Sequence, residues 1–143
     1  MITKIIYKKK LLGLIVNLNK KVSIGTSFFS PDNFTQQVGV INYKKNYFIK
    51  PHSHNSYLRK IYRTSEVLLI TKGVLRVDFY DKKKYIFSKI AKKNNLLVLQ
   101  QGSHGFKIIK DCLMIEVKQG PFVKTLDKVR FNKIEENKIK IKK

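Results

Sequence analysis

The chain is predicted to fold as a single all-β domain, a barrel or sandwich built from short antiparallel strands. Its 143 residues are enough for one hydrophobic core, and 43% of them are apolar, as is normal for a globular protein. Apolar or alternating runs of five to eight residues are separated by turn residues. No long stretch repeats its apolar residues with the 3.6-residue period of an amphipathic helix.

Ten strands are predicted along the chain, and each lies between residues that favour turns or loops. Ser30-Pro31-Asp32-Asn33 has the composition of a turn, and Lys72-Gly73 is predicted to be another. Lys44-Lys45-Asn46 and Asp81-Lys82-Lys83 are predicted hairpin loops. The predicted strands are 11–17, 22–29, 36–43, 47–54, 66–71, 74–80, 84–90, 96–100, 105–110 and 112–118.

The predicted strand 74–80 alternates most clearly between apolar and polar residues. Successive side chains of a strand point to opposite faces of the sheet. We therefore expect Leu75, Val77 and Phe79 to face the core, and Arg76 and Asp78 to face outward.

The two ends of the chain differ from the middle. The predicted strand 11–17 is almost entirely apolar, which favours coverage on both faces. We therefore predict that it pairs with a second subunit in a homodimer. Residues 132–143 consist almost wholly of Lys, Ile, Asn and Glu, so we expect a barrel domain over 1–131 and a basic tail over 132–143 that is mobile or loosely packed.

The net charge of +22 is unusually high, and it raises the question of an anionic partner. All but four of the 31 basic residues are lysine, whereas specific nucleic-acid readers depend on the bidentate contacts of arginine. A/T-rich coding sequence also favours Lys, Ile, Asn, Tyr and Phe, which are abundant here. We therefore expect no specific nucleic-acid partner, and composition accounts for the charge.

The remaining composition favours a cytoplasmic protein without a membrane partner. No apolar run approaches the roughly 20 residues that a membrane helix needs. Cys112 is the single cysteine, so no disulfide can form within the chain.

All three histidines fit one candidate site. His52 and His54 are one residue apart, so in a strand both imidazoles would lie on the same face. Glu66 begins the next apolar run, and His104 lies in the turn sequence Gly102-Ser103-His104-Gly105. Imidazole and carboxylate suit a divalent transition metal ion such as Zn, Fe, Mn or Ni. Glu66 has the alternative role of a salt bridge with a nearby basic side chain.

These residues resemble the motifs of the cupins, small β-barrels that usually hold one metal ion. The first cupin motif runs G-x5-H-x-H-x3-4-E-x6-G, which His52, His54, Glu66 and Gly73 match in part. His104 corresponds to the histidine of the second motif. The resemblance covers roughly residues 10 to 131, and it implies a double-stranded β-helix, or jelly roll, with these four side chains as metal ligands.

Several segments are similar to a group of small cupins found with genes for surface-polysaccharide and nucleotide-sugar synthesis. They include TSEVLLITKGVLRVDFYD, GSHGF and MIEVKQGPF. The resemblance implies isomerisation or epimerisation of a keto-sugar that is phosphorylated or nucleotide-linked. Some cupins that act on nucleotide-linked deoxysugars use a histidine base and no metal. The alternative is a cupin that binds a sugar or small acid without turnover.

Further polar and aromatic residues are candidates for the same pocket. Glu116 interrupts an apolar strand, so it either faces solvent or lies in the pocket as a general acid or base. Arginine in the 55–65 spacer would suit a phosphate or carboxylate, because its guanidinium forms bidentate contacts. The candidate substrate-binding residues are Arg59, Arg63, Tyr62, Gln100 and Phe106, the last of which is equally suited to the core.

Overall fold

The computed structural model describes residues 1–123 and 125–143, and these residues form an all-β fold. The prediction of an all-β chain is confirmed. The described residues contain eight strands, a three-residue 3-10 turn at Glu136–Lys138 and no apolar helix of membrane-spanning length. The strands are β1 (Ile2–Tyr7), β2 (Lys10–Asn17), β3 (Gly25–Phe28), β4 (Gly39–Asn42), β5 (Glu66–Asp81), β6 (Lys84–Lys92), β7 (Asn95–Leu99) and β8 (Ser103–Lys118).

Six of these strands form one antiparallel sheet that is strongly curled into a half-barrel. The long strand β5 lies at its centre. One edge of β5 pairs with β7 and then with β6, while the other edge pairs with β8 along most of its length. The order continues from β7 through β2 to β1, and β3 and β4 form a separate two-stranded sheet.

The interior of the half-barrel is filled by alternate residues of the sheet, as predicted. Leu75, Val77 and Phe79 are 0%, 0% and 2% exposed. Arg76 and Asp78 lie on the opposite face, but they are also buried, at 6% and 4% exposure. Their outward orientation is as predicted, but they do not contact solvent, because the C-terminal segment covers that face of the sheet.

Strand β5 joins two segments that are predicted as separate strands, 66–71 and 74–80. Gly73 makes this possible with a φ of +89°, a conformation that residues with a Cβ rarely adopt. A Cβ at Gly73 would also collide with the backbone oxygen of Asp111 on β8. The pairing of β5 with β8 is therefore irregular around Gly73. Strand β8 likewise joins two predicted strands, 105–110 and 112–118.

Residues 47–54 form no strand, in contrast to the prediction, and they are exposed. Pro51 lacks the N–H group that a central strand needs. Just before this segment, Tyr47 N donates to Lys44 O at 3.2 Å, and the rings of Tyr43 and Tyr47 stack with centroids 3.8 Å apart. These contacts turn the chain where the strand is predicted to begin.

Strand β2 is buried between two other strands of the same chain. It pairs with β1 along one edge and with β7 along the other. The reasoning that residues 11–17 pair with a second subunit is therefore corrected, because β1 (Ile2–Tyr7) already occupies that edge. The homodimer itself stays a prediction.

The C-terminal segment contacts the sheet at several points, in contrast to the loosely packed tail that the composition predicts. Ile134 N donates to the hydroxyl of Tyr80 at 3.2 Å. Further along, Ser88 N donates to Lys140 O at 2.8 Å and Lys142 N donates to Ser88 O at 2.9 Å, which adds the tail to β6 as a parallel bridge. These partners lie about 50 residues away in sequence, so local composition does not indicate them.

Candidate functional site

Glu66 and His104 meet inside the half-barrel, and the curl of the sheet brings them together. Each residue lies at the start of a 16-residue strand, and the two strands run antiparallel. In register, Glu66 is opposite Lys118 and His104 is opposite Phe79, so a flat ladder would hold the two residues far apart. In the curled sheet, His104 Nε2 lies 2.9 Å from Glu66 Oε2.

The environment favours an ionised Glu66 carboxylate that accepts a hydrogen bond from the imidazole. Its side chain is 10% exposed and that of His104 is 25% exposed. The hydrogen bond from His104 lowers the pKa of the Glu66 carboxyl, while burial acts in the opposite direction. Lys128 adds a positive charge, with Nζ 3.6 Å from Glu66 Oε1.

The pair lines a cleft with a volume of about 1480 Å³. Phe106 packs beside His104 with ring centroids 5.3 Å apart, and Leu68 and Met114 add apolar surface to the lining. Gln100 also lines the cleft, and its Oε1 accepts a hydrogen bond from the buried Ser65 hydroxyl at 2.8 Å. The site therefore combines a hydrogen-bonded histidine–carboxylate pair with an apolar wall and a fixed amide.

The other two histidines lie elsewhere, on the exposed segment that precedes β5. Their rings contact each other edge to face with centroids 5.2 Å apart, and His52 Nδ1 lies 3.1 Å from Lys50 O. Within residues 1–123 and 125–143, no three His, Cys, Asp or Glu side chains are grouped so that they could hold a metal ion. The four predicted ligands thus form two separate pairs, which do not fit the predicted metal centre.

The predicted substrate-binding residues are divided in the same way. Tyr62 and Arg63 line the cleft, although the Tyr62 side chain is 87% exposed. Arg59 lies outside it, with its guanidinium 3.7 Å from the centre of the Tyr57 ring. Glu116 lines the cleft from β8 and is exposed, so it has access to a ligand but is not enclosed.

The cleft is also lined by residues of the C-terminal segment that the sequence did not single out. Lys128 contacts Glu66, and Asp127 forms an ion pair with Lys118, with Oδ2 3.2 Å from Nζ. On the other face of β5, Arg76 pairs with Glu136. The sequence shows Arg76 and Asp78 one residue apart on a predicted strand, but this spacing does not indicate that Glu136 is the distant partner of Arg76.

Comparisons with protein families, with curated proteins and with solved structures found no match to this chain.

Proposed function

We propose that the chain is a cupin-type jelly-roll protein that isomerises or epimerises a keto-sugar by proton transfer, with His104 as the base. The contact between His104 and Glu66 inside an open cleft is the observation that supports this proposal. The substrate class follows from the resemblance to small cupins of surface-polysaccharide synthesis. A phosphorylated or nucleotide-linked sugar suits a cleft that also contains Arg63 and Lys128.

Glu66 orients the base. Its carboxylate accepts the Nε2–H of a neutral His104, which places the proton of the imidazole on that nitrogen. Nδ1 is then left with a lone pair, and it makes no hydrogen bond with the described residues. A carboxylate in this position also stabilises the imidazolium that forms when the ring takes up a second proton.

The reaction requires two proton transfers at carbon. Nδ1 removes a proton from the carbon next to the sugar carbonyl, and the electrons of the C–H bond form an enolate. Return of the proton to the former carbonyl carbon, with transfer of the hydroxyl proton of the deprotonated carbon to the enolate oxygen, gives an isomer. Delivery of a proton from solvent water to the opposite face of the deprotonated carbon, while His104 returns its own proton to solvent, gives an epimer. The ammonium group of Lys128 is suited to stabilising the enolate oxygen, because positive charge near developing negative charge lowers the barrier.

Phe106 and Met114 provide the surface for the less polar face of the sugar ring. Gln100 and Tyr62 offer hydrogen-bonding groups to its hydroxyls, and Gln100 is held in place by Ser65. No step is assigned to a metal ion, because His52 and His54 lie away from Glu66 and His104.

Deuterium exchange tests the proposal across the whole substrate class at once. A panel of keto-sugar phosphates and nucleotide-linked keto-sugars is incubated with the protein in D2O, and incorporation next to the carbonyl is followed by NMR. We expect exchange with the natural chain, loss of at least about 100-fold in His104→Gln, and a smaller loss in Glu66→Gln. His52→Ala is the matched control, since this exposed histidine does not line the cleft, and it should retain the natural rate.

Equal exchange rates in the natural chain and in His104→Gln would refute the assignment of the base. Binding of a sugar or a dicarboxylic acid by calorimetry, with no exchange for any compound of the panel, would favour the non-catalytic alternative. The basic residues of the cleft make this alternative specific, since Lys128 and Arg63 are suited to holding a small acid.

A further inference from the structure

Two cations on neighbouring strands converge on one carboxylate at the covered face of the sheet. Arg76 and Lys107 are direct cross-strand partners of β5 and β8. Glu136 Oε2 lies 2.7 Å from Arg76 Nη1 and 3.0 Å from Lys107 Nζ, and its Oε1 lies 3.3 Å from Arg76 Nη2. Such a fork of donors also matches the oxygen spacing of a phosphate group.

This cluster is separate from the Glu66–His104 pair. Arg76 follows Leu75 and precedes Val77, and both of these neighbours point into the half-barrel. Alternation along β5 and β8 therefore places Arg76 and Lys107 on the face opposite to His104. Both faces border the cleft, because the edge of β8 that does not pair with β5 is free of other strands in the described residues.

The cationic half of the cluster is rigid. The Arg76 side chain is 8% exposed, and Asp78 holds its Nε at 2.7 Å and its Nη2 at 3.0 Å. Asp78 is in turn held by the hydroxyl of the buried Ser88 at 2.5 Å. This network leaves Nη1 directed at the position of the Glu136 carboxylate, so the donor geometry does not depend on Glu136.

The anionic half, in contrast, lies on a segment with little packing of its own. The Glu136 side chain is 49% exposed and lies on a single 3-10 turn that has no buried residue and no side-chain cap. Beyond this turn the tail is tied to β6 through Lys140 and Lys142. Glu136 can therefore leave Arg76 without release of the last residues of the chain.

We propose that Arg76 and Lys107 form a binding site for a phosphate group, which the chain's own Glu136 carboxylate occupies, and that a phosphate ligand competes with Glu136 for this site. Among the described residues, departure of Glu136 leaves Asp78 as the only carboxylate in contact with these two cations, so the site gains a net positive charge. The surrounding excess of lysine raises the local concentration of anions at low ionic strength. The proposal goes beyond the His104 chemistry and does not depend on it.

Calorimetric titration of the full chain with inorganic phosphate tests the competition directly. Glu136→Gln removes the internal carboxylate, and we expect it to bind phosphate at least about fivefold more tightly than the natural chain. Glu135→Gln is the matched control. It removes one charge from the adjacent position, where the side chain pairs only with Lys138 at 2.9 Å among the described residues, and it should bind like the natural chain. Lys107→Gln, at a half-exposed position, should bind more weakly.

Hydrogen exchange provides the reciprocal measurement, because competition works in both directions. Saturating phosphate should accelerate exchange at the amides of Ile134, Lys138 and Ile139 in the natural chain. The amide of Lys142, which donates to Ser88 O, should exchange at an unchanged rate.

Equal phosphate affinity in Glu136→Gln and Glu135→Gln would overturn the proposal, because attraction by the diffuse charge treats the two variants alike. Parallel titration with a nucleoside diphosphate distinguishes the source of the phosphate. Tighter binding of the diphosphate in Glu136→Gln identifies a nucleotide-bearing ligand, and a preference for inorganic phosphate identifies the free ion. His104→Gln should leave both titrations unchanged, so failure at this site is distinguishable from failure of the proposed reaction.

Discussion

Replacement of His104 by alanine should destabilise the protein, and the size of the loss can be estimated from its contact with Glu66. The substitution removes a hydrogen bond of 2.9 Å to a carboxylate that is 10% exposed. A hydrogen bond to a charged group contributes about 1.5–3 kcal/mol to stability. Lys128 remains 3.6 Å from the same carboxylate and offsets part of the loss. We therefore expect a loss of about 1.5–2 kcal/mol, which lowers Tm by about 4–8 °C in a chain of this size.

Urea unfolding of four proteins measures this coupling: the natural chain, His104→Ala, Glu66→Gln and the double variant. If the two side chains stabilise each other, the double variant loses less than the sum of the single losses by about 1 kcal/mol or more. His52→Ala is the control for loss of an exposed imidazole, and it should change stability by less than about 0.5 kcal/mol.

The pH dependence gives a second test of the same contact. His104 lowers the pKa of Glu66 in the folded protein, so the unfolded chain binds a proton at this carboxyl more readily. The stabilisation is therefore fully present above the unfolded pKa of about 4.3 and is lost as pH falls through the lower folded pKa. The stability gap between the natural chain and His104→Ala should shrink below about pH 4. A coupling below about 0.5 kcal/mol at pH 7, or a gap that is constant into acid, would contradict the contact.

Three further predictions concern other parts of the chain. Gly73→Ala should cost about 3 kcal/mol or more in urea unfolding, because it combines a positive φ with a backbone collision, whereas Gly25→Ala, with a φ of +115° and open space around it, should cost about 1–2 kcal/mol. Only Glu66 and His104, of the four predicted ligands, are in contact inside the half-barrel, so we expect a chelator to leave Tm unchanged. A decrease in Tm with chelator that disappears in His52→Ala would show instead that the exposed histidines close onto a metal ion. Arg76 and Lys107 lower the pKa of Glu136 from 4.5 to about 2, so its contact should be present above pH 4.5 and lost as pH falls toward 2, as followed by the amide signals of the tail with Glu135→Gln as control.

Local patterns in the sequence predicted those parts of the structure that depend on local geometry. Alternation assigned Leu75, Val77 and Phe79 to the interior, because the side-chain period of a strand is a property of the backbone itself. The grouping of Glu66 and His104 in one candidate site came from the pattern of histidines and carboxylate and from the resemblance to the cupin motifs, and the structure brings these two side chains into contact. The sequence did not reveal how the contact arises. A turn was predicted at Gly73, but β5 continues through this residue, and the curl of the long β5–β8 ladder brings the two side chains together.

The failures occurred where the position of a segment depends on partners that are distant in sequence. A strand was predicted over 47–54, but a strand forms only when a neighbouring strand accepts and donates its backbone hydrogen bonds. Pro51 has no backbone N–H group to donate to such a neighbour. The C-terminal tail has no apolar period, so its composition predicted weak packing. Its attachment instead depends on Tyr80, Arg76 and Ser88, whose partnership with the tail no local pattern encodes.

The net charge of +22 is distributed unevenly between the cleft and the rest of the surface. Six of the nine acidic residues line the cleft, compared with eight of the 30 basic residues that the structure describes, so the cleft is nearly balanced and most of the described excess lies outside it. A polyanion such as nucleic acid would meet that outer excess, and its binding would decrease steeply with salt and show no sequence preference. Within the cleft, Arg76, Lys107 and Lys128 already contact carboxylates. A ligand of the proposed kind would therefore have to displace or match those carboxylates, so its shape and chemistry, more than its total charge, would decide whether it binds.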